Sequence, residues 1–150
     1  MTVRTLVSGG LVLKEISIRA STSKVFASLT KPSQLNVWFT TKAKVDLRVG
    51  GRYSNADHDQ GRFLEILPNE RLRFTWDNPD HAAGSIIEII LTRQTAKTLV
   101  TLLHHSFRKK SDLEHYSSST SGWDWALENL RAHLEGRRIT QYEKWLENYV

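Results

Sequence analysis

Cysteine is absent from the 150-residue chain. That one absence removes disulfide frameworks, thiolate nucleophiles and cysteine-ligated zinc together. Long apolar runs are missing too. The first ten residues, Met1 to Gly10, carry no stretch of signal-peptide length, and no later segment approaches the ~20 apolar residues of a membrane span. The expectation is a cytoplasmic protein with no membrane span. Charge of one sign never accumulates either: Lys and Arg total 21 against 16 Asp and Glu, a net charge of +5. The densest basic spots, Arg108-Lys109-Lys110 and Arg137-Arg138, are too short for a nucleic-acid stripe and lack interleaved aromatic rings. No nucleic-acid partner is expected. Nor does the chain carry a phosphate-cradling glycine loop or a recognisable Ser-His-Asp order.

What is present suits one soluble globular domain spanning residues 1–150, long enough to bury a core unaided. Hydrophobic residues make up 39% and charged residues 25%, an ordinary balance for that class. Residues 11–20 alternate as a strand, and Ser21 or Thr22 then caps a short helix through Val25, Phe26 and Leu29. Residues 31–33 end it, and Ser33 starts a second short helix carrying Leu35, Trp38 and Phe39. Residues 42–49 and 52–55 form a hairpin around Gly50-Gly51. Four more strands follow at 61–67, 71–76, 84–93 and 97–107. Their short connections favour antiparallel neighbours. A long helix occupies about 112–135, with Leu113, Tyr116, Trp123, Leu127, Leu130 and Leu134 on one stripe. The serine run at 117–122 weakens its first turns, so the secure helix begins near Trp123. Beyond Gly136, Ile139, Tyr142, Trp145, Leu146 and Tyr149 form a further amphipathic stripe. It docks either on its own domain or on a second subunit, so a homodimer through 136–150 stands as an alternative.

Specific residues carry a resemblance. Val25-Phe26, Trp38-Phe39, Gly50-Gly51-Arg52-Tyr53, Gly61 with Glu65-Ile66-Leu67-Pro68, Arg71-Leu72 with Phe74-Thr75-Trp76, and Gly122-Trp123 with Leu127 and Leu130 occur in this order. Over residues 11–135 the chain resembles the START-like (SRPBCC) superfamily, specifically the homologues of the activator of heat shock protein 90 ATPase. That resemblance implies an α+β helix-grip fold: a curved antiparallel sheet of about six to seven strands gripping a long C-terminal helix, two short helices after the first strand, and often a cavity between helix and sheet. The chain departs from the pattern at His105-Ser106-Phe107, where many relatives carry a glycine.

The inward faces implied are apolar. Candidates for lining a cavity are Trp38 and Phe39 from the second helix, Tyr53, Phe63, Phe74, Trp76, Ile87 and Ile89 from the strands, and Trp123 and Leu127 from the long helix. Glu65 and one of the adjacent histidines are the polar candidates, because alternation puts either His104 or His105 inside. The family pattern favours His105; treating Val100 and Leu102 as core favours His104. A lone inward histidine is more often structural than catalytic, so no catalytic residue is assigned. Asp57-His58-Asp59 with Asp77, Asp80 and His81 match no metal-ligand spacing and read as turn chemistry, so neither metal nor cofactor is expected. The expected activity is non-enzymatic binding of a small apolar molecule. The resemblance also implies two alternatives: a protein-interaction domain that engages a chaperone, and an enzyme using acid or base groups in the cavity.

Overall fold

The computed structural model describes residues 3–119 and 122–149, the side chains of His81 and Tyr149 excepted. Two strands open the chain, β1 (Arg4–Ser8) and β2 (Leu11–Ile18). They pair antiparallel, with Ser8 opposite Leu11. Gly9 and Gly10 both take positive φ, +55° and +81°, the conformation that a two-residue hairpin turn demands and that side chains resist. β1 was not expected from the sequence. Helices α1 (Thr22–Thr30) and α2 (Pro32–Trp38) come next. Ser21 caps α1 by accepting a bond from the Lys24 amide at 3.3 Å. α2 differs from expectation at its start. Pro32 occupies the first helical turn and Lys31 the cap position, so Ser33 lies inside the helix. Proline is tolerated there because the first amides have no helical partner to lose.

Six strands follow: β3 (Lys44–Val45), β4 (Arg52–Ser54), β5 (Gln60–Leu67), β6 (Arg71–Asn78), β7 (His81–Gln94) and β8 (Lys97–His105). The expected strand at 42–49 is thus reduced to two residues, and β7 starts three residues early. All eight strands form one antiparallel sheet in the order β1-β2-β8-β7-β6-β5-β4-β3. The sheet is curved and does not close. One close approach depends on glycine: a Cβ on Gly61 would stand 2.0 Å from the carbonyl oxygen of Thr75.

The expected long helix is two helices, α3 (Lys110–Ser117) and α4 (Gly122–Leu134). Ser118 leaves α3 in extended conformation, as poor helix formers favour; Thr120 and Ser121 of the same run lie outside the described residues. α4 lays Trp123, Ala126, Leu127 and Leu130 against the concave face, all buried. This is the helix-grip arrangement. The tail forms α5 (Tyr142–Leu146) and a 3-10 turn, Glu147–Tyr149. Among the described residues no helix is long and apolar enough to cross a membrane.

Candidate functional site

Alternation along the central strands sends one set of side chains toward α4 and the other outward. Phe63 on β5, Phe74 and Trp76 on β6, Ile87 and Ile89 on β7, and Tyr53 on β4 all reach the concave side, where they border one inner cavity. Trp38 and Phe39 from the end of α2 and Trp123 and Leu127 from α4 complete its wall. Ten of the twelve expected cavity residues therefore come together in space. Leu29 and Leu35, expected on the apolar faces of the two short helices, also border it, as do Thr40 and Val45, which no sequence signal singled out.

Glu65 and His105 do not join them. A β-bulge between Phe63 and Glu65 shifts the register of β5 against β6, and an extra residue reverses which face each following side chain occupies. Glu65 consequently faces outward and pairs with Arg71 at 3.1 Å. His105 lies on the same outer face, its Nε2 2.8 Å from Glu88. Glu88 also receives the Arg71 guanidinium. Burial alone would raise its pKa, but the hydrogen bonds and charges of Arg71 and His105 outweigh that and hold it below the ordinary carboxylate value.

The inward histidine is His104, with no exposed surface. The Trp123 indole N–H donates to its Nδ1 at 3.0 Å. An indole only donates, so Nδ1 accepts and Nε2 carries the proton toward Ser85 Oγ, 2.7 Å away. Ser85 in turn donates to the Trp76 carbonyl at 3.1 Å. The chain of bonds fixes the ring behind Trp123 rather than in the cavity. Lys14 was not foreseen as an interior residue. Fully buried on β2, it donates to Thr5 Oγ1 and the Ser118 carbonyl, both at 3.1 Å, and pairs with Asp124 at 2.5 Å. It ties β1 and the break between α3 and α4 to the sheet.

Aromatic rings fill most of the space between sheet and helix. Trp76 and Trp123 lie 4.9 Å apart by ring centroids, and Tyr53 meets Phe74 edge-on at 5.4 Å. The Tyr53 hydroxyl donates to the Thr75 carbonyl at 2.6 Å. Burial above all, then the charges of Asp59 and Asp77, push its pKa upward. The inner cavity left over is about 90 Å³, well below the ~300–1,000 Å³ of ordinary small-molecule pockets.

A larger cleft of about 650 Å³ opens beside it and shares Trp38, Phe39, Thr40, Trp76 and Trp123 with the inner cavity. Its far wall is built by the C-terminal tail. Trp125 of α4 donates its indole N–H to the Thr140 carbonyl at 2.7 Å. Buried Asn129 donates to the Trp38 carbonyl at 2.7 Å and accepts from the Thr140 amide at 2.9 Å. Tyr142 packs edge-on against Trp125 at 6.0 Å, and Trp145 is buried. Ile139, Tyr142 and Trp145 of the tail's apolar stripe thus pack within their own chain. Asp57, Asp59, Asn78 and Asp80 form the opposite rim. Among the described residues no group of three or more His, Asp or Glu is placed to hold a metal ion. Asparagines organise this loop: Asn55 Oδ1 accepts from the amides of Asp57 and Asp59, and Asn78 Nδ2 donates to Asp59 at 2.9 Å.

Comparisons with known proteins agree with this architecture. CalU16 from Micromonospora echinospora is 26% identical, with a TM-score of 0.73 over 89% of this chain and 82% of its own. An Hsp90 activator from Plasmodium falciparum is 18% identical, with a TM-score of 0.71 over 87% of this chain and 99% of its own. The Aha1 dimer from Colwellia psychrerythraea is 22% identical, with a TM-score of 0.72 over 83% of this chain and 96% of its own. No curated protein matches the chain. A family model described as activator of Hsp90 ATPase homolog 1-like protein matches residues 19–135. That match spans most of the chain, the two short helices, strands β3 to β8 and α4 included, and the protein belongs to this family of START-like helix-grip proteins.

Proposed function

We propose that the protein is a non-enzymatic binder of a small hydrophobic molecule, with the ligand entering through the outer cleft and seating an apolar end against the inner cavity. The observation that carries this reading is a ligand-sized outer cleft set directly beside the inner cavity, with Trp38, Phe39, Trp76 and Trp123 bordering both. A 90 Å³ void is too small for most ligands, whereas the two spaces together offer a volume of ligand size. The acid and base candidates support binding over catalysis. Glu65 and His105 lie on the opposite face of the sheet, and His104 is fully buried. A cytoplasmic setting and a single working domain belong to the same reading.

Ligand-dependent stabilisation tests it. A ligand at a hundredfold excess over its Kd stabilises the fold by about 2.7 kcal/mol, so a true ligand raises the melting temperature by several degrees and perturbs tryptophan emission. A panel of fatty acids, sterols and aromatic acids that changes neither signal overturns the proposal.

A second reading follows from the family's printed description: a surface that engages an Hsp90-type chaperone. Its test is chaperone ATP turnover with and without the protein. Unchanged turnover and no co-purification remove it.

A further inference from the structure

The outer cleft differs from the molecule around it in charge. The chain as a whole is basic, with a net charge of +5. Yet among the described residues the cleft is bordered by four carboxylates, Asp57, Asp59, Asp80 and Glu143, and by no lysine or arginine. His115 is the only basic type at its edge among those residues. Asp57 is satisfied by a neutral donor, the Thr40 hydroxyl at 2.6 Å, which leaves its charge uncancelled. Asp59 is 7% exposed, and its charge reaches far enough to contribute to the raised pKa of Tyr116, after burial and against the bond from Trp76.

The floor is independent of that charge and points to a ligand by itself. Trp38, Phe39, Trp76, Trp123, Trp125 and Tyr142 surround a ligand-sized space. Aromatic faces carry negative quadrupole potential, so rings and carboxylates attract the same partner: an apolar or aromatic body bearing a cation. An anionic lipid or aromatic acid would instead meet a carboxylate-lined rim with, among the described residues, no lysine or arginine to receive it.

We propose that the outer cleft selects a protonated amine attached to an aromatic or aliphatic body, the body resting on the tryptophan floor and the ammonium facing Asp57 and Asp80. This rests on the binding reading above and names the chemical class of its ligand.

Three probes with the same ring separate the possibilities: naphthylmethylamine, naphthalenemethanol and naphthoate, titrated into the full chain by calorimetry at neutral pH. The amine is expected to bind about tenfold more tightly than the alcohol, the order that one charge gives at a partly shielded site. The acid should bind more weakly than either. Raising the salt from low to physiological concentration should shrink the amine's advantage and leave the alcohol's affinity nearly constant. In the double variant Asp57→Asn, Asp80→Asn the ratio of amine to alcohol affinity should fall to about twofold. The indole N–H resonances of Trp76 and Trp125 should shift with the amine, which places it in this cleft. Equal binding of amine and alcohol, or preference for the acid, overturns the selection of a cation and leaves apolar binding standing. Failure of all three probes to bind removes this proposal, and the binding reading falls with it only where the fatty acid, sterol and aromatic acid panel also leaves the protein unchanged.

Discussion

The two faces of the sheet obey the same alternation and differ in what a substitution costs them. On the concave face, side chains stand in a dry space closed by α4. Polar groups admitted there, Lys14 and His104 among them, have partners held in place by packing. On the convex face, Arg4 pairs with Glu15 at 2.7 Å, and Glu65, Arg71, Glu88 and His105 run across neighbouring strands. There at least one partner of each pair is open to water, which competes for its charge, and surface ion pairs contribute roughly 0–1 kcal/mol each. An ion pair's worth is therefore set by the face it occupies rather than by its length.

The largest expected effect tests the concave side. Asp124→Ala strands the Lys14 ammonium where no solvent reaches it and should destabilise the fold by about 3–5 kcal/mol, measured by urea unfolding. The double variant Lys14→Met, Asp124→Leu should recover most of that loss, because two apolar groups remove both the charge and its partner. A single variant within 1 kcal/mol of wild type would break the contrast between the faces.

An intermediate effect is expected at the tail. Asn129→Ala removes both the donor to Trp38 and the acceptor for Thr140, and should cost about 2 kcal/mol by leaving backbone groups unpaired. Hydrogen exchange at 139–146 should accelerate more than in the sheet. Uniform exchange would show that the tail is not held by this residue.

The smallest effect belongs to the convex face. Glu88→Gln should change stability at neutral pH by no more than about 1 kcal/mol. Its signature is in the pH profile. The folded carboxyl lies below its ordinary value of 4.5. Its contribution is therefore complete above that value and is lost as the pH falls from there through the lower folded pKa. The variant should flatten that part of the acid limb. An unchanged limb would show that Arg71 and His105 do not hold the charge.

Much of the fold was legible in the residues, and the errors have separate physical causes. The concave set was readable because β6 and β7 alternate cleanly, and the weakness of the serine run foretold the break after α3. Glu65 was misplaced because a bulge leaves no mark in a hydrophobicity pattern while reversing the faces beyond it. His105 was favoured by family pattern, yet continuing the Val100 and Leu102 parity along β8 leads to His104. Ser106 takes φ +63° just after it, which is the conformation that a glycine at such a turn would adopt freely. β1 went unseen although Gly9-Gly10 is a hairpin signature, since only one side of the turn alternates clearly.

From periodicity came most of the elements and the list of rings facing inward, because those follow from local repeats of two and 3.6 residues; the helix-grip arrangement came from the family resemblance. Three matters were decided only in tertiary space. They are the small size of the inner cavity, the buried partners of Lys14, and the acidic cleft walled by the tail. Each depends on residues far apart in the chain, such as Lys14 with Asp124 or Asn129 with Trp38, and on how completely aromatic rings interlock. Packing of that kind is a property of volumes in contact, which no linear pattern encodes.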